Sequence, residues 1–170
     1  MPAAPTRTPT LPPDAQERDP EYRAVLEWIW SFSAQSPLSN DPLRRARKME
    51  RMRALLRLLG DPQEGFPALL VAGTKGKGST VAMLASCLRA AGYRTGRYTS
   101  PHLLNWRERT WVDGQPITTG QVVRLAQLVR EAVERLPSGV GQPTTFEVGT
   151  ALTLLHFARE HVQIAAVEEH

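Results

Sequence analysis

The sequence is poor in cysteine, in aromatic residues and in long apolar runs, and each scarcity excludes something. Its 170 residues contain one cysteine, Cys87, so no disulfide can form within the chain and a reducing compartment is the simplest setting. Cys87 itself reads as a small apolar residue buried on a helix rather than as a nucleophile. Aromatics make up 6%, and none interleaves with the cluster Arg44, Arg45, Arg47, Lys48, Arg51, Arg53 and Arg57. That cluster therefore reads as a solvated helix face, not a platform for stacking bases. No run is long and apolar enough to cross a bilayer. Residues 1–20 hold six prolines (Pro2, Pro5, Pro9, Pro12, Pro13 and Pro20) and lack the apolar core of a signal peptide, so a disordered tail on a cytoplasmic protein is expected, with neither membrane nor nucleic acid as partner.

What remains is ordinary for a globular domain: 41% hydrophobic and 22% charged, with a net charge of +4. That balance suits an anionic ligand. Apolar spacing predicts a helix over Tyr22–Phe32. A second starts at Asp41-Pro42, as N-cap and first helical residue, and runs to Leu59 with Gly60 as its stop, burying Met49, Met52, Leu55, Leu56 and Leu59. A buried strand over Ala68–Ala72 leads through a glycine loop into a helix over Ser79–Ala91. Further strands are expected at Thr95–Thr99, Trp106–Val112 and Val162–Val167. Between the last two come a turn at Asp113-Gly114, a helix capped by Thr118 or Thr119 and reaching Leu136, and a helix capped by Thr144 or Thr145 and reaching His161. Strands alternating with helices indicate an α/β domain whose mainly parallel sheet is flanked by helices.

The loop Gly73-Thr74-Lys75-Gly76-Lys77-Gly78-Ser79-Thr80 carries the chemistry. Glycines let successive N–H groups point into one concavity, the following helix adds partial positive charge, and Lys77 adds a full one, a P-loop-type arrangement for phosphates. The loop departs from the commonest phosphate-loop pattern, in which a hydroxyl directly follows the lysine. Here Gly78 intervenes, and Ser79 and Thr80 supply the hydroxyls. On their own, Ser100-Pro101 reads as a turn and Glu147 as an acid in the first turn of a helix. Trp106 and Trp111 read as sheet packing, and His156 as structural.

This loop resembles the nucleotide loop of the Mur-ligase superfamily in its folylpolyglutamate synthase/dihydrofolate synthase branch, which commonly reads GTNGKGS. Tyr98-Thr99-Ser100-Pro101-His102-Leu103, Arg107-Glu108-Arg109, Asp113-Gly114-Gln115-Pro116-Ile117 and Thr145-Phe146-Glu147 follow in the same order. The resemblance spans about residues 22–167. It implies an ATP-dependent, ADP-forming ligase that joins L-glutamate to a folate, or to dihydropteroate, through an acyl phosphate. It implies Lys77 as the catalytic cation, residues 73–80 around ATP, Ser100 and Glu147 as Mg2+ ligands, and Pro101 and His102 near the folate.

The family pattern continues beyond Glu168, which corresponds to the glutamate of an EVGLGGRLDATN-like stretch. A metal-binding histidine, a carbamylated lysine and a C-terminal glutamate-binding domain come later in that pattern and have no counterpart in these 170 residues. Residues 21–170 are thus expected to form a partial N-terminal ATP-binding domain, inactive alone, with an open sheet edge at the last strand that invites self-association. A non-catalytic nucleotide binder and another Mur-type ligase stay open as alternatives.

Overall fold

The computed structural model describes residues 19–33 and 42–169, and the side chains of residues 42–45 are left aside. The expected tail over residues 1–20 and the cap at Asp41 lie wholly or largely outside the described residues. The elements are α1 (Pro20–Ser31), α2 (Pro42–Leu58), β1 (Ala68–Val71), α3 (Lys77–Ala90), β2 (Thr95–Tyr98), β3 (Thr110–Val112), β4 (Gln115–Pro116), α4 (Thr119–Glu134), α5 (Thr145–Arg159) and β5 (Ile164–Glu168). Helix starts are set by side chains that satisfy otherwise unpaired amides. Asp19 caps α1, while Thr118 with Gln121 and Thr144 with Glu147 form reciprocal capping boxes on α4 and α5.

The strands form one sheet in the order β1-β5-β2-β3-β4. β1, β5 and β2 are parallel, and β3 and β4 add an antiparallel hairpin. The hairpin turns at Asp113-Gly114, both with positive φ, which is the backbone that two-residue hairpin turns require. Alternation splits β5 between two layers: Ala165 packs with Phe157 on the α5 side, and Ala166 with Val81 and Ala85 on the α3 side. Gly96 permits the close approach of α5, because a Cβ there would meet the Phe157 ring at 3.0 Å. α5 is backed in turn by α1, α2 and α4, whose apolar faces share one core with Trp106 and Ile117.

Several expectations are corrected. β1 is not buried: it is the sheet edge, with Leu69 and Leu70 exposed, whereas the last strand, β5, lies between β1 and β2. The open edge therefore belongs to β1. Met49 is exposed, because α2 meets the core only from Arg51 and Met52 onward, after five successive exposed residues, 46–50. Cys87 is exposed on α3, since only the Val81 and Ala85 side of that helix faces the sheet. Trp106–Arg109 is a 3-10 turn rather than strand: Asn105 and Glu108 cap it reciprocally, and strand β3 begins only at Thr110. No helix among the described residues is long and apolar enough to cross a membrane.

Candidate phosphate-binding site

The three parallel strands end side by side, and the loop residues of interest leave from those ends. In open α/β sheets ligands sit in the crevice beyond the carboxyl ends of the strands. The glycine loop follows β1 and opens α3, whose N-cap is Gly76 with φ 73°. Thr80 is turned back on this loop, its amide and hydroxyl both donating to the Gly76 carbonyl at 3.0 Å. Thr74, Lys75, Gly76 and Ser79 are exposed, and Lys77 is half-buried.

The carboxylate at the end of β5 is the point of convergence. Glu168 is 8% exposed. Its Oε1 lies 3.9 Å from Lys77 Nζ, and its Oε2 accepts the Ser100 amide at 3.0 Å. A Cβ built on Gly78 would approach Glu168 Oε2 to 3.6 Å. Loop lysine, loop glycine, strand-end carboxylate and Ser100 thus form one cluster. Among the described residues no group of three or more His, Cys, Asp and Glu is placed to hold a metal ion. This cluster offers one carboxylate, a sparse oxygen set compatible with Mg2+, which keeps waters and substrate phosphates as its remaining ligands.

Glu147 is placed differently. It is 1% exposed, and Arg51 grips it through Nε and Nη2, at 2.8 Å for the shortest contact. Thr144 donates both its amide and its hydroxyl to Glu147 Oε2 at 2.8 Å. Arg51 also donates to the Val140 carbonyl. The carboxylate is engaged by a cap and an ion pair that tie α2 to α5, and no contact joins it to the Lys77–Glu168 cluster among the described residues. Arg51, expected on a solvated face, is turned inward. A charged pair formed by residues 96 positions apart leaves no local pattern in the sequence, whereas an acid closing an apolar strand beside a phosphate-loop strand was a readable signal for Glu168.

The Ser100–Asn105 loop is held by two anchors. Glu108 accepts the amides of Leu103, Leu104 and Asn105 at 2.8, 3.1 and 2.8 Å. Burial works against its charge, but these three donors outweigh it and hold the carboxyl below the usual carboxylate range. His102 Nδ1 accepts from Arg109 Nε at 2.9 Å, and its ring lies near Trp30 of α1. Pro101, Leu103 and Leu104 are exposed. Trp106 is buried against Gly149 and Trp111 lies under Arg97, so both tryptophans pack. His156 is buried, which lowers its pKa.

A mainly parallel sheet flanked by helices, with a glycine loop after one strand and an acid closing its neighbour, is the architecture that similar solved structures of the Mur-ligase fold share. No family model matches the chain, but individual proteins do. The dihydrofolate synthase/folylpolyglutamate synthase of Bacillus subtilis is 44% identical over 112 residues, covering 65% of this chain and 26% of that protein. The Mycobacterium tuberculosis folylpolyglutamate synthase complexed with ADP superposes with a TM-score of 0.76 at 32% identity, covering 87% of this chain and 32% of the other. A folylpolyglutamate synthase complex with AMPPCP and folate gives 0.75 at 34% identity, with 86% and 34% covered. Over most of its length the chain is similar to folylpolyglutamate/dihydrofolate synthases, consistent with a partial N-terminal fragment of such a protein. It spans about a quarter to a third of their length.

Proposed function

We propose that this chain carries the phosphate-binding part of an ATP-dependent ligase that adds L-glutamate to a folate, or to dihydropteroate. The observation that carries the proposal is the convergence of Lys77 and the Ser100 amide on Glu168. The kinship adds the substrates, since related structures hold ADP, or AMPPCP with folate.

The chemistry asks little covalent work of a protein. A substrate carboxylate attacks the γ-phosphate of ATP, ADP leaves, and the glutamate amine then displaces phosphate from the acyl phosphate. Such a sequence depends on positioning and on neutralising charge. Residues 73–80 would cradle the phosphates through their amides, and Lys77 would balance the charge that grows on the leaving phosphate. Mg2+, when bound, would neutralise phosphate charge and draw electron density from the phosphoryl group. Glu168 and the Ser100 hydroxyl are the groups that would hold it. The loop bearing Pro101 and His102, fastened by Glu108 and Arg109, would face the folate. These residues form one part of an active centre, and the 170-residue chain alone is expected not to complete the ligation.

Titration of the chain with AMPPCP, with and without Mg2+, tests this reading. Expected are Mg2+-dependent binding, loss of at least about tenfold in affinity for Lys77→Ala, and loss of the Mg2+ dependence for Glu168→Gln but not for Glu147→Gln. Absence of nucleotide binding, or Mg2+ dependence that survives Glu168→Gln, would overturn it. Folate- and glutamate-dependent ADP release by the purified chain would refute the claim that it is inactive alone.

A further inference from the structure

The opposite end of α3 borders a cavity for which the ligase chemistry has no use. Alternation along β2 directs Gly96 and Tyr98 toward α5, so Arg97 faces α3. Its cross-strand partner Trp111 lies on the same face. With Ser86 and Arg89 of α3 these side chains line a cavity of about 190 Å³. Lys77 and Arg89 stand about 18 Å apart along the helix axis, at 1.5 Å per residue, so this cavity is separate from the glycine loop.

Its electrostatics are unbalanced. The Arg97 guanidinium stacks on the Trp111 ring at 4.2 Å, and its Nε is buried with no hydrogen-bond partner among the described residues. Burial also pushes its pKa down. Among the described residues no acidic one lines the cavity. Asp113, in the adjoining turn, is committed to Arg94 and to the Thr95 amide, both at 3.0 Å. The Arg89 guanidinium packs over Gly114 at the cavity mouth. A helix C-terminus accounts for one cation there, Arg89. It does not account for Arg97, a strand residue whose stacking leaves an edge N–H unsatisfied at a cost.

We propose that this cavity binds a small phosphate-bearing anion between the guanidinium forks of Arg89 and Arg97, with the Ser86 hydroxyl as a further donor. Two guanidinium groups lining one cavity match a dianion better than a carboxylate, which would balance only one of them. The Thr95 hydroxyl takes no part, because it donates to the Tyr93 carbonyl. The volume is below the roughly 300 Å³ at which sites for drug-sized ligands begin, which fits a phosphoryl group and not a nucleotide. A wider groove past Ser86 and Arg89, lined further on by Arg94, Asp113 and Gln163, would take the uncharged organic part of a phosphomonoester.

The test is a titration of the ¹⁵N-labelled chain followed on the arginine Nε–H resonances. Lys77→Ala serves as background so that the glycine loop does not compete. Inorganic phosphate is expected to move the Arg97 Nε–H signal saturably, with Arg97→Leu and Arg89→Leu each weakening binding by about tenfold or more. Glycerol phosphate forms the second arm: tighter binding than inorganic phosphate assigns the site to an organic phosphate, and equal or weaker binding assigns it to the free ion. No saturable movement of Arg97 up to tens of millimolar phosphate would overturn the proposal, as would an equal response to glutamate. The resonance belongs to the unsubstituted Arg97, so the result stands even if an arginine variant fails to fold.

Discussion

The two sides of the sheet are built to different standards. On the α5 side, Tyr22, Leu26, Ile29, Leu55, Trp106, Val122, Val129, Val148 and Leu152 form a dry core shared by four helices. On the α3 side, Val81, Ala85 and Ala166 form the buried cluster, while Leu69 and Met83 stay exposed. The glycine loop, Glu168 and the Arg97 cavity all lie on the thin side or along its rim. The thick side acts as a scaffold that fixes β2 and β5, and the thin side leaves their ends and one face open to ligands. Stability and chemistry are thus carried by separate layers, which loop-borne sites on rigid frames commonly show.

The separation can be broken most sharply at the ion pair inside the scaffold. Arg51→Ala would strand Glu147 in the interior and is expected to cost about 3–5 kcal/mol, measured by urea unfolding. Adding Glu147→Gln, which keeps an oxygen for the Thr144 amide, should recover much of that loss, and a double-mutant cycle would read the coupling. Next comes packing: Leu152→Ala should cost about 2–5 kcal/mol, whereas Met83→Ala on the thin side should stay within about 0.5 kcal/mol. Equal costs would dissolve the distinction.

A smaller effect comes from His156, on the core side of α5. Burial lowers its pKa, against opposing help from Glu160. The unfolded chain therefore binds a proton at this site at higher pH than the folded one does. The contribution of His156 to stability is complete above its ordinary value of about 6.5 and falls as pH drops through that value toward the lower folded one. His156→Leu should remove this part of the pH slope. The smallest change is expected at the β1 edge, where Leu70→Lys should reduce concentration-dependent self-association seen by light scattering with little effect on unfolding.

The sequence made local devices legible and long-range ones much less so. Thr118, Thr144, Gly60 and the Asp113-Gly114 turn act through neighbours a few residues away, and each acts where its pattern indicates. The glycine loop was readable because backbone geometry and helix polarity are local too. The pairing of Glu147 with Arg51 was not legible, because a first-turn acid looks the same whether it faces solvent, a metal or an arginine from another helix. Met49 and Leu70 misled because apolar spacing reports which residues share a face, not whether anything covers it. β1 has the composition of a central strand, and only the sheet order makes it an edge.

The contact between Glu168 and Lys77 makes the loop self-neutralising. Without a ligand, the lysine already has an anion beside it, so a polyphosphate arriving by itself meets the Glu168 carboxylate as well as the loop amides and the lysine. A divalent cation held by Glu168, as proposed, would reverse the sign of that encounter by giving Glu168 a partner and releasing Lys77 to the phosphates. Nucleotide and cation would then favour each other's arrival by the same factor, since coupling between two binding equilibria is reciprocal. The site would act as a coincidence detector, largely deaf to either ion alone.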